Sequence, residues 1–440
     1  MVNPVHPPLQ ADDPEIALIP TVTCPGCGLL CDDVVIARNG SRLEVRNTGC
    51  PKSNAFFEQA SAVAVDETFP RIEGRPAELA YAIRKAADIL RHAQQPLIAG
   101  LATDVHGMRA TLELAEATGA TLDHMNSPAA IRNVLAVQNS GWHTCTLTEV
   151  RNRADLVLII GGDITGRFPR FFERIIWNRE SMFNQDPASR DIIYIGGPDI
   201  DTAAGTSPKG IKPTVISCAI QKLPEVIGAL LALVRGRQLP SDIVAGIPVA
   251  DLQHLATRLA GAKYSVIAWA AADLDFPHAE LTVHQLAELI GHLNHTTRCS
   301  GLPLGGSEGD VTANQVSSWI SGFPIRNSYK RAYPEYDPYR FNVDRQLNTD
   351  EADAMVWINS FDVQRMPPQT AVPTIVIGHP GMQLVHVPEV FIPVGIPGVD
   401  HTGIMFRSDS VVALPLKKLR ESLLPTLKQV LDGIRAELEK

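Results

Sequence analysis

Continuous apolar runs alternate along the chain with stretches whose apolar residues recur at helical spacing, and that alternation sets the expected architecture. Between residues 78 and 91, Leu79, Ala82, Ile83, Ala86, Ala87 and Leu90 predict a helix. Residues 96–100 read as a buried strand, 106–118 as an amphipathic helix and 120–123 as a second strand, which makes a βαβ crossover. Two further apolar runs, 156–162 and 192–197, both end in Gly-Gly. Strands that are apolar along their whole length and close on glycine loops belong to a parallel sheet covered on both faces. Ligands in such sheets bind beyond the carboxyl ends of the strands, so residues 163–170 and 198–204 are candidate site loops. A helix at 223–235 and a linker near 238–247 lead to a second α/β region, with strands at 265–269, 354–358 and 374–378 and a helix at 281–293. Residues 418–440 read as a last helix, and 301–342, glycine-rich and aromatic, as a long irregular binding or interface loop.

The expected organisation is an extended tail at 1–19, where Pro4, Pro7, Pro8 and Pro14 preclude a regular element, then a four-cysteine β domain at 20–61. An α/β region at 62–240 follows, and a second at 241–440 carries the 301–342 loop and the C-terminal helix. At 440 residues, 45% hydrophobic and 20% charged, the chain is of ordinary globular composition, without internal repeats. A net charge of -9 and the lack of any Lys/Arg stripe with interleaved aromatics argue against nucleic acid as a partner. No apolar run approaches the ~20 residues that span a bilayer, so no membrane partner is expected. With no secretory leader before cysteines that read as reduced, the expected location is the cytoplasm.

The chemistry concentrates in the stretch from Thr23 to Cys50. Cys24, Cys27, Cys31 and Cys50 stand in a C-x2-C-x3-C-x18-C order, while Cys145, Cys218 and Cys299 are scattered. Between Cys31 and Cys50, apolar residues 34–37, an Asn39-Gly40 turn and residues 42–45 predict a hairpin that folds the fourth thiol back onto the first three. Four soft thiolates hold either zinc or an iron-sulfur cluster, and both benefit from nearby backbone N–H groups, to which Gly26 and Gly28 give close approach. The three-residue gap between Cys27 and Cys31 favours a cluster over paired zinc knuckles. Two disulfides are the remaining alternative and require an oxidising compartment.

Other candidates carry less. Gly305-Gly306-Ser307-Glu308-Gly309 fits G-x-S-x-G, but Gly301-Leu302-Pro303-Leu304 before it does not read as the strand that a nucleophile elbow requires. His292, His295 and His401 form a possible metal set, although histidines at a helix end more often serve as C-terminal charges. Cys145 reads as a small buried residue rather than a reactive thiol. Phe168, Phe171 and Phe172, beside Arg167 and Arg170, either grip a ligand or fill space. No G-x-G-x-x-G with a following acid supports an independent nucleotide-binding protein.

The chain resembles the B subunit of formylmethanofuran dehydrogenase, a molybdopterin oxidoreductase that in methanogens reduces carbon dioxide to formate. The resemblance runs nearly end to end and rests on Cys24-Pro25-x-Cys27-Gly28-x-Leu30-Cys31-Asp32-Asp33, the spacing to Cys50, the block from Val134 to Gly141 and its continuation from Cys145 to Asp155. Asn314-Gln315-Val316 and the segment from Ile392 to Arg407 add to it. It implies a formate dehydrogenase-like α/β fold with Rossmann-like parallel sheets and a small N-terminal four-cysteine β domain. It also implies a 4Fe-4S cluster on Cys24, Cys27, Cys31 and Cys50, beside a tungsten or molybdenum bis-pterin site.

The chain departs from that pattern at the pterin site. Where the family has a metal-ligating Cys followed by His, this chain has Ala129 and Ala130, and neither can ligate a metal or move a proton. The family's Cys-Asn-Pro and Asp-Pro-Arg loops are here Gly162-Asp163-Ile164 and Gly197-Pro198-Asp199, which puts an acid where an arginine would face phosphate. No catalytic or pterin-binding residue is therefore expected, and tungstopterin or molybdopterin is expected to be absent. The pattern resembles instead the B subunit of the formyltransferase/hydrolase complex of aerobic methylotrophic bacteria. That resemblance implies a scaffold role beside an amidohydrolase-like subunit, a formyltransferase subunit and a third scaffold subunit. With nothing to relay electrons to, a metal on the four cysteines becomes structural, a 4Fe-4S cluster or, in its place, zinc. The opposing expectation, from the intact cysteine set, is a working tungsten or molybdenum oxidoreductase subunit.

Overall fold

A computed structural model describes residues 16–63, 65–183 and 186–440. The chain forms two compact units: the described residues up to Ser127 together with Gly306–Lys440, and the inserted segment Pro128–Gly305. This interleaving differs from a linear division at residue 240. Strand Ser265–Ala270 pairs in parallel with Leu156–Gly161, whereas Ala354–Asn359 pairs with Pro96–Ala102, so each apolar run joins a sheet begun far earlier in the sequence. Periodicity identifies a buried strand but carries no information on its partner.

In the inserted unit five described strands run in the order Thr214–Ser217, Asp191–Gly196, Leu156–Gly161, Ser265–Ala270 and Cys299–Leu304, all parallel. Every residue of Leu156–Gly161 and of Ser265–Ala270 is buried, as their unbroken apolar character requires when helices cover both faces. Helices Leu223–Val234, Val249–Gly261 and Ala279–Leu293 supply Leu230, Leu252, Leu259, Leu286 and Ile290 to that core.

The other unit carries a mixed sheet whose parallel centre is Thr121–Leu122, Pro96–Ala102, Ala354–Asn359, Thr374–Gly378 and Val390–Pro393. Short antiparallel strands close both sides. Gly100 is held at φ +79°, and a Cβ there would fall 2.5 Å from the carbonyl oxygen of Ile358, so only glycine lets the two central strands approach through this irregularity. The crossover helix Val105–Thr118 is capped by Asp104, which accepts from the Gly107 N–H at 3.0 Å, and ends at Gly119 in the left-handed region.

Several expectations need correction. The last helix is Leu427–Leu438 rather than beginning near 418, because Pro425 precedes a capping box between Thr426 and Gln429. Its buried residues Leu427, Val430, Leu431 and Ile434 join the core around Val105–Thr118, at roughly 1.5–3 kcal/mol for each side chain fully removed from water. The 301–342 stretch is not irregular: it contains the end of strand Cys299–Leu304, helix Asp310–Ser321 and the antiparallel pair Asn327–Ser328 with Glu335–Tyr336. Residues 238–247 carry a small hairpin, Ile243–Val244 with Ile247–Pro248. Of the tail, residues 1–15 lie outside the described residues, while Ala17–Val22 forms an edge strand that tolerates Pro20.

Candidate functional site

The four-cysteine segment carries a three-stranded antiparallel sheet, Ala17–Val22, Val34–Asn39 and Arg42–Val45, followed by helix Pro51–Ser61. The hairpin turn is Gly40-Ser41, with Asn39 paired to Arg42, so the expected Asn-Gly turn is displaced by one residue and Gly40 supplies the positive φ. The loop from Cys24 to Cys31 is closed by the Cys24 N–H donating to the Cys31 carbonyl at 2.9 Å and the Leu30 N–H donating to the Cys27 carbonyl at 3.1 Å. Cys50 sits at the N-terminus of helix Pro51–Ser61, whose first position is proline.

All four thiols are buried and lie within electrostatic reach of one another. The Gly26 N–H points at Cys24 Sγ at 3.4 Å, and the Leu29 backbone N–H serves Cys27. A Cβ on Gly26 would meet the Lys52 carbonyl oxygen at 2.9 Å and Cys24 Sγ at 3.3 Å, so this glycine is what lets the backbone reach the sulfur. Burial pushes the Cys24 thiol up to about 12 and raises Cys27 as well, which keeps both protonated at neutral pH without a cation. Among the described residues no three His, Cys, Asp or Glu side chains already close on one point as a ligand shell. The donor chemistry, soft sulfurs with N–H groups aimed at them, fits either zinc or an iron-sulfur cluster.

The strand-end loops of the inserted unit have a different character. Ala129 and Ala130 lie half-buried in the first turn of helix Ser127–Ser140. After strand Leu156–Gly161, a Cβ on Gly162 would fall 2.4 Å from Asp273 Oδ2, and Arg167 Nε donates to Asp273 Oδ1 at 2.5 Å. Asp273 follows strand Ser265–Ala270, which the topology sets beside Leu156–Gly161. Asp199 is exposed after strand Asp191–Gly196, and Asp163 and Asp201 lie near enough to Tyr194 to raise its phenol further above the range set by burial. The Tyr194 hydroxyl is buried without a hydrogen-bond partner among the described residues. Asp163 follows strand Leu156–Gly161, Asp199 and Asp201 follow strand Asp191–Gly196, and Asp273 is paired with Arg167. Exposed carboxylates at these strand ends disfavour a diphosphate beside them.

Phe168, Phe171 and Phe172 are buried, the last two in an edge-to-face pair at 5.6 Å, so their rings fill the interior of this unit. Arg190, also buried, donates to the carbonyls of Arg151, Ala154, Ile175 and Ile176 and to Asn178 Oδ1, and desolvation lowers it to about 10. It fastens the turn of π-helix Phe172–Ile176 to helix Leu147–Arg153.

In the other unit the structure assembles a polar cluster that sequence reasoning missed. The Asn126 amide donates to the Ser307 carbonyl at 3.0 Å and to Glu308 Oε2 at 2.7 Å, Arg365 donates to Asn126 Oδ1 at 2.7 Å, and His124 Nε2 lies 3.2 Å from the Glu308 carbonyl. Burial lowers His124 to about 3. Asp310 accepts from the Gly306 and Val311 N–H groups at 2.6 Å, yet burial and the adjacent Glu308 raise it to about 7. The G-x-S-x-G glycines were the available signal. Strand Cys299–Leu304 does precede that motif, contrary to expectation, but the left-handed residues are Gly306, Glu308 at φ +48° and Gly309, not Ser307. Among the described residues the Ser307 hydroxyl has no histidine or carboxylate hydrogen bond, so no nucleophile is assembled.

The histidine set also disperses. His292 and His295 pair with each other at 5.2 Å, while the His401 nitrogens lie near the carbonyls of Thr402 and Gly395. Cys145 is buried, with its thiol 3.6 Å from the Gly301 carbonyl, as expected of a packing residue.

No protein-family model matches the chain. Over 338 residues it is 30% identical to the B subunit of the formyltransferase/hydrolase complex of Methylorubrum extorquens, covering 76% of this chain and 87% of that protein. The chain belongs to that B-subunit family. The same family includes the B subunit of the tungsten-containing formylmethanofuran dehydrogenase 2 of Methanocaldococcus jannaschii, 28% identical over 409 residues, or 90% of this chain and 92% of that one. Among solved structures, a chain of the Methylorubrum extorquens formyltransferase/hydrolase complex, crystallised with methylofuran, matches with a TM-score of 0.72 and 29% identity over 84% of this chain and 98% of its own. The family's mixed α/β fold with parallel sheets is thus the fold of this chain. Among the described residues no helix is long and apolar enough to cross a membrane.

Proposed function

We propose that this member of the B-subunit family is the non-redox structural subunit of a formyltransferase/hydrolase complex. That complex moves a formyl group between tetrahydromethanopterin and a methanofuran-type coenzyme and releases formate. The observation that carries the reading is the set of acids Asp163, Asp199 and Asp201 after strands Leu156–Gly161 and Asp191–Gly196, where the resemblance places a pterin diphosphate, with Ala129 and Ala130 where it places the metal-ligating Cys and the His. The partners are an amidohydrolase-like subunit, a formyltransferase subunit and a third scaffold subunit, and the assembly works in the cytoplasm. Cys24, Cys27, Cys31 and Cys50 hold a 4Fe-4S cluster or a zinc ion. Either would cross-link the loop, the hairpin and the helix start, so that metal-binding energy becomes folding energy.

The intact cysteine set and the extended match to a tungsten-containing dehydrogenase favour the second reading, a catalytic CO2/formate oxidoreductase. Elemental analysis of the anaerobically purified assembly separates the two. Iron or zinc without tungsten or molybdenum is expected, and stoichiometric tungsten or molybdenum per chain would overturn the structural reading.

A further inference from the structure

Helix Pro51–Ser61 carries a serine near each end, and the two are placed differently. Ser61 Oγ donates to the Phe57 carbonyl, four residues back, at 2.8 Å and accepts from the Leu43 N–H at 2.8 Å. Ser53 lies in the first turn, where the residue four back, Gly49, precedes the helix, and the Cys50 carbonyl is taken by the Asn54 N–H at 3.0 Å. The helix therefore offers Ser53 no carbonyl of its own. Its side chain is buried, and among the described residues its hydroxyl makes no hydrogen bond of acceptable geometry. Such a group lowers stability unless a partner completes it.

The surroundings identify that partner. The Lys52 carbonyl, whose peptide leads into Ser53, and the Cys24 sulfur both close on Gly26, at 2.9 and 3.3 Å from where a Cβ would stand. The first turn of the helix is thus held against Cys24, whose sulfur the Gly26 N–H approaches from the loop at 3.4 Å. Burial raises the Cys24 thiol, and against it the Ser53 hydroxyl, ahead of the Gly26 N–H, favours the charged form. A protonated thiol is a weak acceptor. Metal ligation forms a sulfur–metal bond, breaks the S–H bond and releases the proton to solvent, which leaves a thiolate sulfur that accepts far more strongly.

We infer that Ser53 is a positioning residue for the metal site, its hydroxyl donating to the Cys24 sulfur when a metal replaces the thiol proton, so that one thiolate is served from the loop by Gly26 and from the helix by Ser53. The inference rests on the reading of Cys24, Cys27, Cys31 and Cys50 as metal ligands. It applies to zinc and to an iron-sulfur cluster alike, because both bind the sulfur as thiolate. The test uses the full chain, freed of metal by a chelator under anaerobic conditions. One portion receives cobalt(II) alone, as a stand-in for zinc, and another receives ferrous and ferric iron in equal amounts with sulfide. Absorption from thiolate to metal reports which is taken, and retention against a competing chelator measures how tightly. Ser53→Ala is expected to weaken retention by about tenfold to a hundredfold, the range for lost outer-shell partners of a metal ligand. In the metal-free chain the same substitution deletes an unpartnered hydroxyl, so the melting temperature should stay level or rise, whereas a serine that merely braces the helix would lower it in both states. Ser53→Thr and Ser53→Val match in shape and differ in the hydroxyl, and the threonine variant is expected to hold metal about tenfold more tightly. If the wild type takes neither metal, the metal-ligand reading fails and the inference with it. If the wild type loads and Ser53→Ala retains metal equally well, or the threonine and valine variants retain it alike, the Ser53 hydrogen bond is refuted while that reading stands.

Discussion

Replacing Asp310 by asparagine is expected to change how stability depends on pH. The carboxyl is buried, faces Glu308 and accepts from the Gly306 and Val311 N–H groups, and these surroundings raise it from 3.8 to about 7. Of the neighbouring groups, Glu308 is the one that repels its charge, and Asn126 and the neutral His124 engage Glu308 instead. Because the folded value lies above the unfolded one, the contribution to stability is complete below pH 3.8 and is lost as pH rises through about 7. Within that window the native state keeps a proton that the unfolded chain releases, so stability falls by about 1.4 kcal/mol per pH unit, on the order of 4 kcal/mol in all. Asparagine keeps an acceptor for the two N–H groups and cannot ionise. Asp310→Asn is expected to lose the descending part of the stability curve and to melt higher than the wild type at pH 8. At about 2 °C per kcal/mol for a unit of this size, the difference should approach about 8 °C. Thermal melts or urea titrations at half-unit steps between pH 4 and 8 measure it. Parallel curves for the two proteins across that range would refute the argument.

Removing metal with a chelator at neutral pH is expected to leave the Cys24 and Cys27 thiols protonated. Rebinding should then release protons and weaken as pH falls, which calorimetry in buffers of different ionisation enthalpy measures, and Cys24→Ser should lower metal content in parallel with melting temperature. Arg190→Lys substitutes one ammonium for a fork that serves four carbonyls and Asn178, and is expected to cost about 3 kcal/mol or more in denaturant unfolding. Gly100→Ala combines a positive φ with a Cβ 2.5 Å from the Ile358 oxygen, and is expected to cost roughly 3 kcal/mol or more, read as loss of soluble expression or a lowered melting temperature.

Much of this chain is legible without coordinates, because strands buried on both faces must be apolar throughout and helices must show their period. Residues 156–161, 265–270, 354–359 and 374–378 announce themselves in that way. The spacing of Cys24, Cys27, Cys31 and Cys50 is likewise a local property, and so is the presence of Ala129, Ala130 and Asp199. Strand partnership is not local. The inserted unit, the return of residues 354–393 to the sheet begun at Pro96, and the placement of Asp273 against Gly162 depend on contacts between residues far apart in sequence. The same holds for Asp310. Nothing in Gly306-Ser307-Glu308-Gly309-Asp310 shows that its carboxyl is enclosed, because burial is a property of the elements folded over it, and only the tertiary structure removes the water that would otherwise hold its charge.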